Sequence, residues 1–394
     1  MQGRARRKPA LVWVARIAVL ALGLLWLIPT LGLVVSSFRT GDQIAASGWW
    51  RALAPTEQIK VLRTAGAMAQ REEAGTFVIE GDLFTPAMRE AGASLTGWGF
   101  SSRASRLMAP GQTGQLRGGG TMTVDAAGHY RLEKATPFQG ENGRYIFVRL
   151  RTPPIFTLDN YRALFATQSS PGTAGAQETG MARVFLNTLS VTVPATILPV
   201  IAAAFAAYAL AWMRFRARAS LIVIMVGMLA LPLQMALIPL LELHANIGIG
   251  KGYLALWLAH TALALPFAIY LMRGYMAGLP RSAIETARVD GANDYQIFIR
   301  IVAPLSLPAI ASFGVLQFLW TWNDLLAARV FLIDASGSPA VLTNRLVELL
   351  GARNAEWQVL APAAIVSFAL PVLLFLALHK ALVRGLLALS GAQR

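Results

Sequence analysis

The chain is 394 residues long, 55% hydrophobic and only 14% charged, with a mean hydropathy of +0.52, too apolar for a soluble enzyme, whose charged fraction is about 25%. Its 35 Lys+Arg against 20 Asp+Glu give a net charge of +15; in so apolar a chain those cations set membrane topology rather than bind nucleic acid. The lack of cysteine excludes disulfides, thiolate metal sites and cysteine nucleophiles, and the four histidines, at 129, 244, 260 and 379, have no metal-ligand spacing. No metal site is therefore expected; nor is a catalytic residue or a cofactor.

A spanning helix needs about 20 mostly apolar residues. Six stretches meet that requirement. The first lies within Ala10–Ser36, behind the basic run Arg4, Arg6, Arg7 and Lys8. It exceeds the roughly 7–15 apolar residues of a cleaved signal, so an uncleaved anchor is expected. The others are Val184–Trp212, Ser220–Leu240, Tyr253–Met272, Pro304–Ala327 and Leu360–Val383. Basic residues in short loops mark the cytoplasmic side. That places both termini, the 213–219 loop (Arg214, Arg216, Arg218) and the 273–303 loop inside, and the 241–252 and 328–359 loops outside. The prolines at 194, 199, 232, 239, 266 and 371 are expected to kink spans.

Residues 39–183, between the first two spans, have soluble composition and domain-sized length. Four runs alternate like strands: 76–80, 121–124, 129–133 and 145–149. Asp125-Ala126-Ala127-Gly128 reads as a hairpin turn, with Gly128 at positive φ. A helix is expected near Glu57–Gln70, and flexible joints at Gly118-Gly119-Gly120 and over 169–180. The division is thus a tail and first span (1–38), a β-rich extracytoplasmic insert (39–183) and a five-helix core (184–394).

The 278–304 loop has the grammar of a capped helix pair. Ser282-x-x-Glu285 fits a capping box, Gly291 fits the left-handed residue after a short helix, and Asn293-x-x-Gln296 offers a second cap. An ordinary surface hairpin would look the same by capping alone.

Glu285-Thr286-Ala287, Gly291 six residues after the Glu, Ile301 ten after the Gly, and Ala303-Pro304 together resemble the EAA loop of ABC importer permeases. Thr286 replaces an expected Ala, and Ala303 an expected Leu. The resemblance extends to Ala206-Ala207-Tyr208-Ala209-Leu210-Ala211, to Phe156-Thr157-Leu158-Asp159-Asn160-Tyr161, to the 318–326 run and to Val383-Arg384-Gly385-Leu386. It covers about 155–394 plus the first span, and is to the second permease of the maltose/α-glucoside class; the insert is similar to that of the α-glucoside branch.

The resemblance implies an all-α polytopic inner-membrane protein of six transmembrane helices, carrying the β-rich insert between the first two. It implies a permease subunit of an ATP-driven sugar importer, with a second permease, a cytoplasmic ABC ATPase dimer and an extracytoplasmic sugar-binding protein as partners, all in membrane lipid. Glu285, Ala287, Asp290 and Gly291 would couple to the ATPase, with Ile301 and Pro304 anchoring the loop to the fifth span.

Polar side chains inside spans tend to face a bundle interior. Asn187, Gln234, Trp320, Trp322, Asn323 and Asp324 are therefore candidates for the substrate path, with Thr188 and His260 beside them. Tryptophans equally form interfacial belts, Asn323 and Asp324 equally suit a helix cap or a bridge between helices, and His260 suits helix–helix contact. Gly248-Ile249-Gly250-Lys251-Gly252 is the nearest approach to a phosphate loop, but Ala245 stands where the upstream Gly belongs and no Ser or Thr follows Lys251. Two other classes remain open: a proton-coupled secondary transporter, which would want a carboxylate–His relay and an internal repeat, and a membrane-tethered receptor or assembly factor built around the insert.

Overall fold

A computed structural model describes residues 9–101, 103, 107–166, 180–334, 339–351 and 357–389. The basic run before Pro9 and, except for Gly180, the joint expected over 169–180 lie outside the described residues. The chain forms two compact units, one of residues 1–160 with 356–362, the other of 161–355 with 363–394.

The first unit opens with α1 (Pro9–Ser37), long and apolar enough to cross a membrane, and the short α2 (Gly41–Ala46). Asn160 is buried and donates to the carbonyls of Ser37 (2.9 Å) and Arg39 (2.8 Å), closing the carboxyl end of α1. Eight strands follow among the described residues: β1 (Thr56–Arg63), β2 (Arg71–Glu73), β3 (Thr76–Asp82), β4 (Ser94–Gly99), β5 (Thr113–Gln115), β6 (Thr121–Val124), β7 (His129–Lys134) and β8 (Tyr145–Thr152), with the short α3 (Pro86–Glu90) after β3. They form two antiparallel sheets, ordered β1-β8-β4 and β2-β3-β7-β6-β5. Alternate residues of both sheets fill one core around Trp98, Met122, Val124, Ile146 and Val148.

The four expected strands are β3, β6, β7 and β8, and Gly128 turns the β6–β7 hairpin at φ +91°. Where a helix is expected near Glu57–Gln70, the chain instead forms β1, paired with β8 residue for residue from Thr56–Thr152 to Arg63–Tyr145, and only Ala67–Ala69 make a short 3-10 turn. Glu, Gln, Lys, Leu and Arg favour a helix locally, but eight cross-strand positions outweigh that weak preference. Nor is Gly118-Gly119-Gly120 a loose joint. All three glycines take positive φ in the β5–β6 turn, closed by Leu116 N–H to Gly120 O at 3.0 Å.

An exposed charge network crosses the five-stranded sheet. Arg131 binds Glu73, Glu80 and Glu133, which hold its guanidinium above its usual value. Burial pushes the Asp82 carboxyl up, but bonds from Arg89 and the Phe84 amide outweigh it and leave it below its usual range. Asp125 is lowered against the same opposing burial by the amide and ring of His129.

The second unit begins within α4 (Asp159–Phe165), at Tyr161, and continues through α5 (Met181–Trp212), α6 (Arg218–Met228), α7 (Leu233–Asn246), α8 (Tyr253–Ala277), α9 (Arg281–Val289), α10 (Asp294–Ile297), α11 (Ala303–Leu305), α12 (Leu307–Asn323), α13 (Leu325–Phe331), α14 (Leu342–Gly351) and, from Ala363 onward, α15 (Trp357–Leu389). Among the described residues α1, α5, α8 and α15 can each cross a membrane as one helix. The third and fifth expected spans are instead bent pairs: α6 and α7 meet at 112°, and the α10–α11 segment meets α12 at 73°. Of the six prolines expected to kink spans, only Pro232 lies at a break, between α6 and α7; it ends a run of three-residue hydrogen bonds from Leu229, Ala230 and Leu231. The others lie inside α5, α7, α8 and α15.

Candidate functional site: the 278–304 loop and the end of α5

Leu279-Pro280 ends the turn after α8, and α9 starts at Arg281 with Pro280 at its cap position and no side-chain cap. The Ser282–Glu285 capping box is therefore not made: Ser282 lies inside the helix, because Pro280, with its preset φ, already starts it. The other end is as expected. Gly291 takes φ +82°, its amide donates to Arg288 O (3.1 Å), and the Ala292 amide donates to Ala287 O (3.0 Å). That bond pair, with Ala287 and Ala292 in one apolar cluster, is a Schellman stop. Asn293 then caps α10 reciprocally with Gln296: the Gln296 amide donates to Asn293 Oδ1 at 2.9 Å, and the Asn293 amide to Gln296 Oε1 at 3.0 Å.

The helical period divides the motif between two faces. Ile284 and Ala287 point inward and are buried with Ile297, Phe298 and Val302 against α5, α8 and α12. Glu285, Asp290 and Gly291 point outward and are exposed, beside Val289 (87% exposed) and Tyr295 (65%). Exposed apolar residues among charges on a rigid stop form a surface suited to a protein partner. Ile301 packs on the same cluster, whereas Pro304 is exposed. The chain bends at Ser306, two residues after Pro304, following a wide π turn over Phe298–Val302; Pro304 has no N–H to continue a regular ladder.

The sequence motif left out how the loop is held. Asp294 Oδ1 accepts from the Tyr208 hydroxyl (3.0 Å) and from Arg288 Nη2 (3.3 Å). Arg288 Nη2 also reaches Trp212 O (3.4 Å), Arg218 donates to Leu210 O and Ala211 O (2.9 and 3.1 Å), and Arg273 donates to Leu210 O (3.2 Å). Three arginines from separate segments thus cover carbonyls that a helix end leaves without partners. Their only sequence signal is being basic residues near a helix end.

The substrate-path candidates are spread over α5 (Asn187), α7 (Gln234), α12 (Trp320, Trp322, Asn323) and the residue after it (Asp324). Asn187 donates to Ala340 O (3.0 Å), and its neighbour Thr188 accepts from the Leu342 amide (2.9 Å). Trp322 is 1% exposed, stacks on Phe318 and donates to Ser367 O (2.8 Å). Asn323 ends α12, donating to Leu319 O at 2.8 Å, and Asp324 caps α13 through the Ala327 amide at 3.0 Å. Asp324 thus sits between helices rather than within a span, where the carboxylate satisfies a free amide. Gln234 and Trp320 are exposed, and His260 is buried on α8. The 248–252 glycine run is the α7–α8 turn, closed by Gly252 N–H to Phe331 O at 2.7 Å.

Residues 195–387 match the family described as binding-protein-dependent transport system inner membrane component. The chain is 47% identical over 389 residues to the alpha-glucoside transport system permease protein AglG of Rhizobium meliloti, covering 98% of each chain. It is also 47% identical over 212 residues to the osmoprotective compounds uptake permease protein GgtD of a Synechocystis species, covering 54% of this chain and 71% of that one. A solved bacterial alginate ABC transporter, in complex with an alginate pentasaccharide-bound periplasmic protein, aligns with 56% of this chain and 80% of its own at 16% identity and a TM-score of 0.43. With nearly half its residues shared along almost its whole length with such a permease, the chain belongs to the inner-membrane permease components of binding-protein-dependent ABC transport systems.

Proposed function

We propose that this chain is one of two permeases in an ATP-driven importer of α-glucosides or related oligosaccharides. The sugar class rests on the 47% identity to an alpha-glucoside permease. The observation that carries the coupling role is the Schellman-stopped α9 with Glu285, Val289, Asp290 and Gly291 facing outward. A short helix fixed at its end can pass on a push without bending. In this reading the outward residues meet a cytoplasmic ATPase dimer, while Ala287 and Ile301 seat the loop and Pro304 starts the turn into α12.

Counting each bent pair as one span gives six crossings, with both termini and the loop in the cytoplasm and residues 39–183 outside, where the sugar-binding protein arrives. Gln234, Trp320, Asn323 and Asp324 offer polar and aromatic groups to the sugar path, and Asn187 and Trp322 hold its walls through their backbone bonds.

Purification through a tag on this chain should bring down an ATPase and a second permease. Uptake of maltose, as the α-glucoside probe, into vesicles should follow internal ATP. Uptake that instead collapses with the proton gradient while ATP is intact would overturn the reading in favour of a secondary transporter.

A further inference from the structure

Two routes lead from the loop into the helical unit. Along the chain, the route passes through the π turn and the 73° bend at Ser306 before reaching α12. Ser306 is fully buried, and its hydroxyl has no partner among the described residues. Such a joint interrupts the straight helix that would carry a push along its axis. Across space, the route reaches the carboxyl end of α5 through several bonds and two ring contacts. Asp294 holds the Tyr208 hydroxyl and Arg288, and Arg288 also holds Trp212 O. Phe298 lies 4.5 Å from the Phe205 ring and 5.3 Å from the Tyr208 ring. The half-exposed Arg288–Asp294 pair would be weak alone. Its partners on α5 turn it into a network that resists both sliding and rotation.

We propose that Tyr208, Arg288 and Asp294 are positioning residues that clamp the loop to the end of α5, so that a push on α9 is delivered first to α5 rather than to the helix that follows the loop. This rests on the coupling role proposed above. Arg218 and Arg273 belong to the same device: by holding Leu210 O and Ala211 O they keep the last turn of α5 from fraying under load.

This chain has no cysteine of its own to compete for a label, and the labelled band is read on this chain alone. In the reconstituted complex, exposed Ser282→Cys carrying a benzophenone maleimide reports contact with the ATPase, and Leu186→Cys, 60% exposed near the far end of α5, reports α5 movement as the change in maleimide labelling rate on trapping with ATP and vanadate. Tyr208→Phe keeps the ring and removes only the hydroxyl. It should shrink the Leu186→Cys change about fivefold, the equivalent of one hydrogen bond. Asp294→Ala should do at least as much, and the double variant no more than Asp294→Ala alone. The ATPase cross-link at Ser282→Cys should persist throughout.

An undiminished labelling change in Tyr208→Phe and Asp294→Ala, with the cross-link intact, would overturn the clamp and leave the coupling loop standing. Loss of the cross-link and of subunit assembly in those variants would reduce the three residues to a folding role and overturn it too. No cross-link to the ATPase in the Ser282→Cys chain alone would instead remove the coupling reading on which the clamp rests.

Discussion

The Trp322 indole donates to the Ser367 carbonyl at 2.8 Å, and Pro371, four residues further along α15, is why that carbonyl is free to accept. The arrangement recurs. Trp257 donates to Ser190 O (2.9 Å), four before Pro194. Gln317 donates to Ala195 O (3.2 Å), four before Pro199. In a membrane a freed carbonyl must find a partner within the protein, and here each finds a side chain on another helix. Trp322→Phe should therefore lower stability by about 1 kcal/mol, in the range of buried membrane hydrogen bonds. Pro371→Ala in the same chain should recover part of that loss by restoring the helical donor. Thermal unfolding of the four proteins of this double-mutant cycle measures the coupling; purely additive effects would contradict it.

Composition and period made the apolar helices, the strands β3, β6, β7 and β8 and the Gly291 stop legible in the sequence, because each depends on neighbours close along the chain. What was hidden depends on distant partners. β1 reads as helix-forming until it meets β8. The 220–240 run reads as one span because hydropathy carries no angle, and only Pro232 hints at the 112° break. Asp324 reads equally as an acid on the substrate path and as a cap, and the end of α12 beside it decides for the cap. Arg218, Arg273 and Arg288 could not be assigned to the α5 carbonyls from spacing, since the bonds join residues up to 76 positions apart.

Gly291 is held at φ +82°, but a Cβ there would meet no atom within 4 Å. Substitution should therefore act through backbone strain alone. Gly291→Ala is expected to cost about 1–2 kcal/mol at that turn and Gly291→Val more, because β-branching tolerates positive φ least. Both should insert and assemble normally. Sugar-stimulated ATP hydrolysis should fall in the order Gly, Ala, Val, and normal stimulation in Gly291→Val would show that the stop is not needed for coupling.

Asp82 and Asp125 are both held below the usual carboxylate range in the folded sheet. A depressed folded value means that the stabilising contribution is present above the unfolded value, about 3.9, and is lost as pH falls through the lower folded one. Pepsin cleavage within the β strands should thus accelerate between about pH 4 and pH 2. The Asp82→Asn/Asp125→Asn chain should be cleaved faster at pH 4 and show a smaller further rise on acidification. An equal acceleration in both chains would place the acid-labile groups elsewhere.

Arg39 is a buried guanidinium whose described partners are all uncharged oxygens: Gln43 O at 2.8 Å, Ser47 Oγ at 2.7 Å and Ser47 O at 3.1 Å. Burial lowers its pKa, yet an arginine stays charged where a lysine in the same place would shed its proton. The planar fork also reaches Gln43 and Ser47 at once, which a single ammonium cannot do. Arg39→Lys should therefore behave as a loss rather than a conservative change, destabilising the link between α1 and β1 by about 1–3 kcal/mol through unsatisfied carbonyls. Arg39→Met, which removes the charge as well as the donors, should be no worse than Arg39→Lys, because a buried amine adds a cost of its own, in giving up its proton or in keeping its charge out of water. Trypsin cleavage at Arg51 under native conditions is the measure: it should quicken in both variants, and a chain with Arg39→Lys that resists trypsin like the parent would refute the assignment.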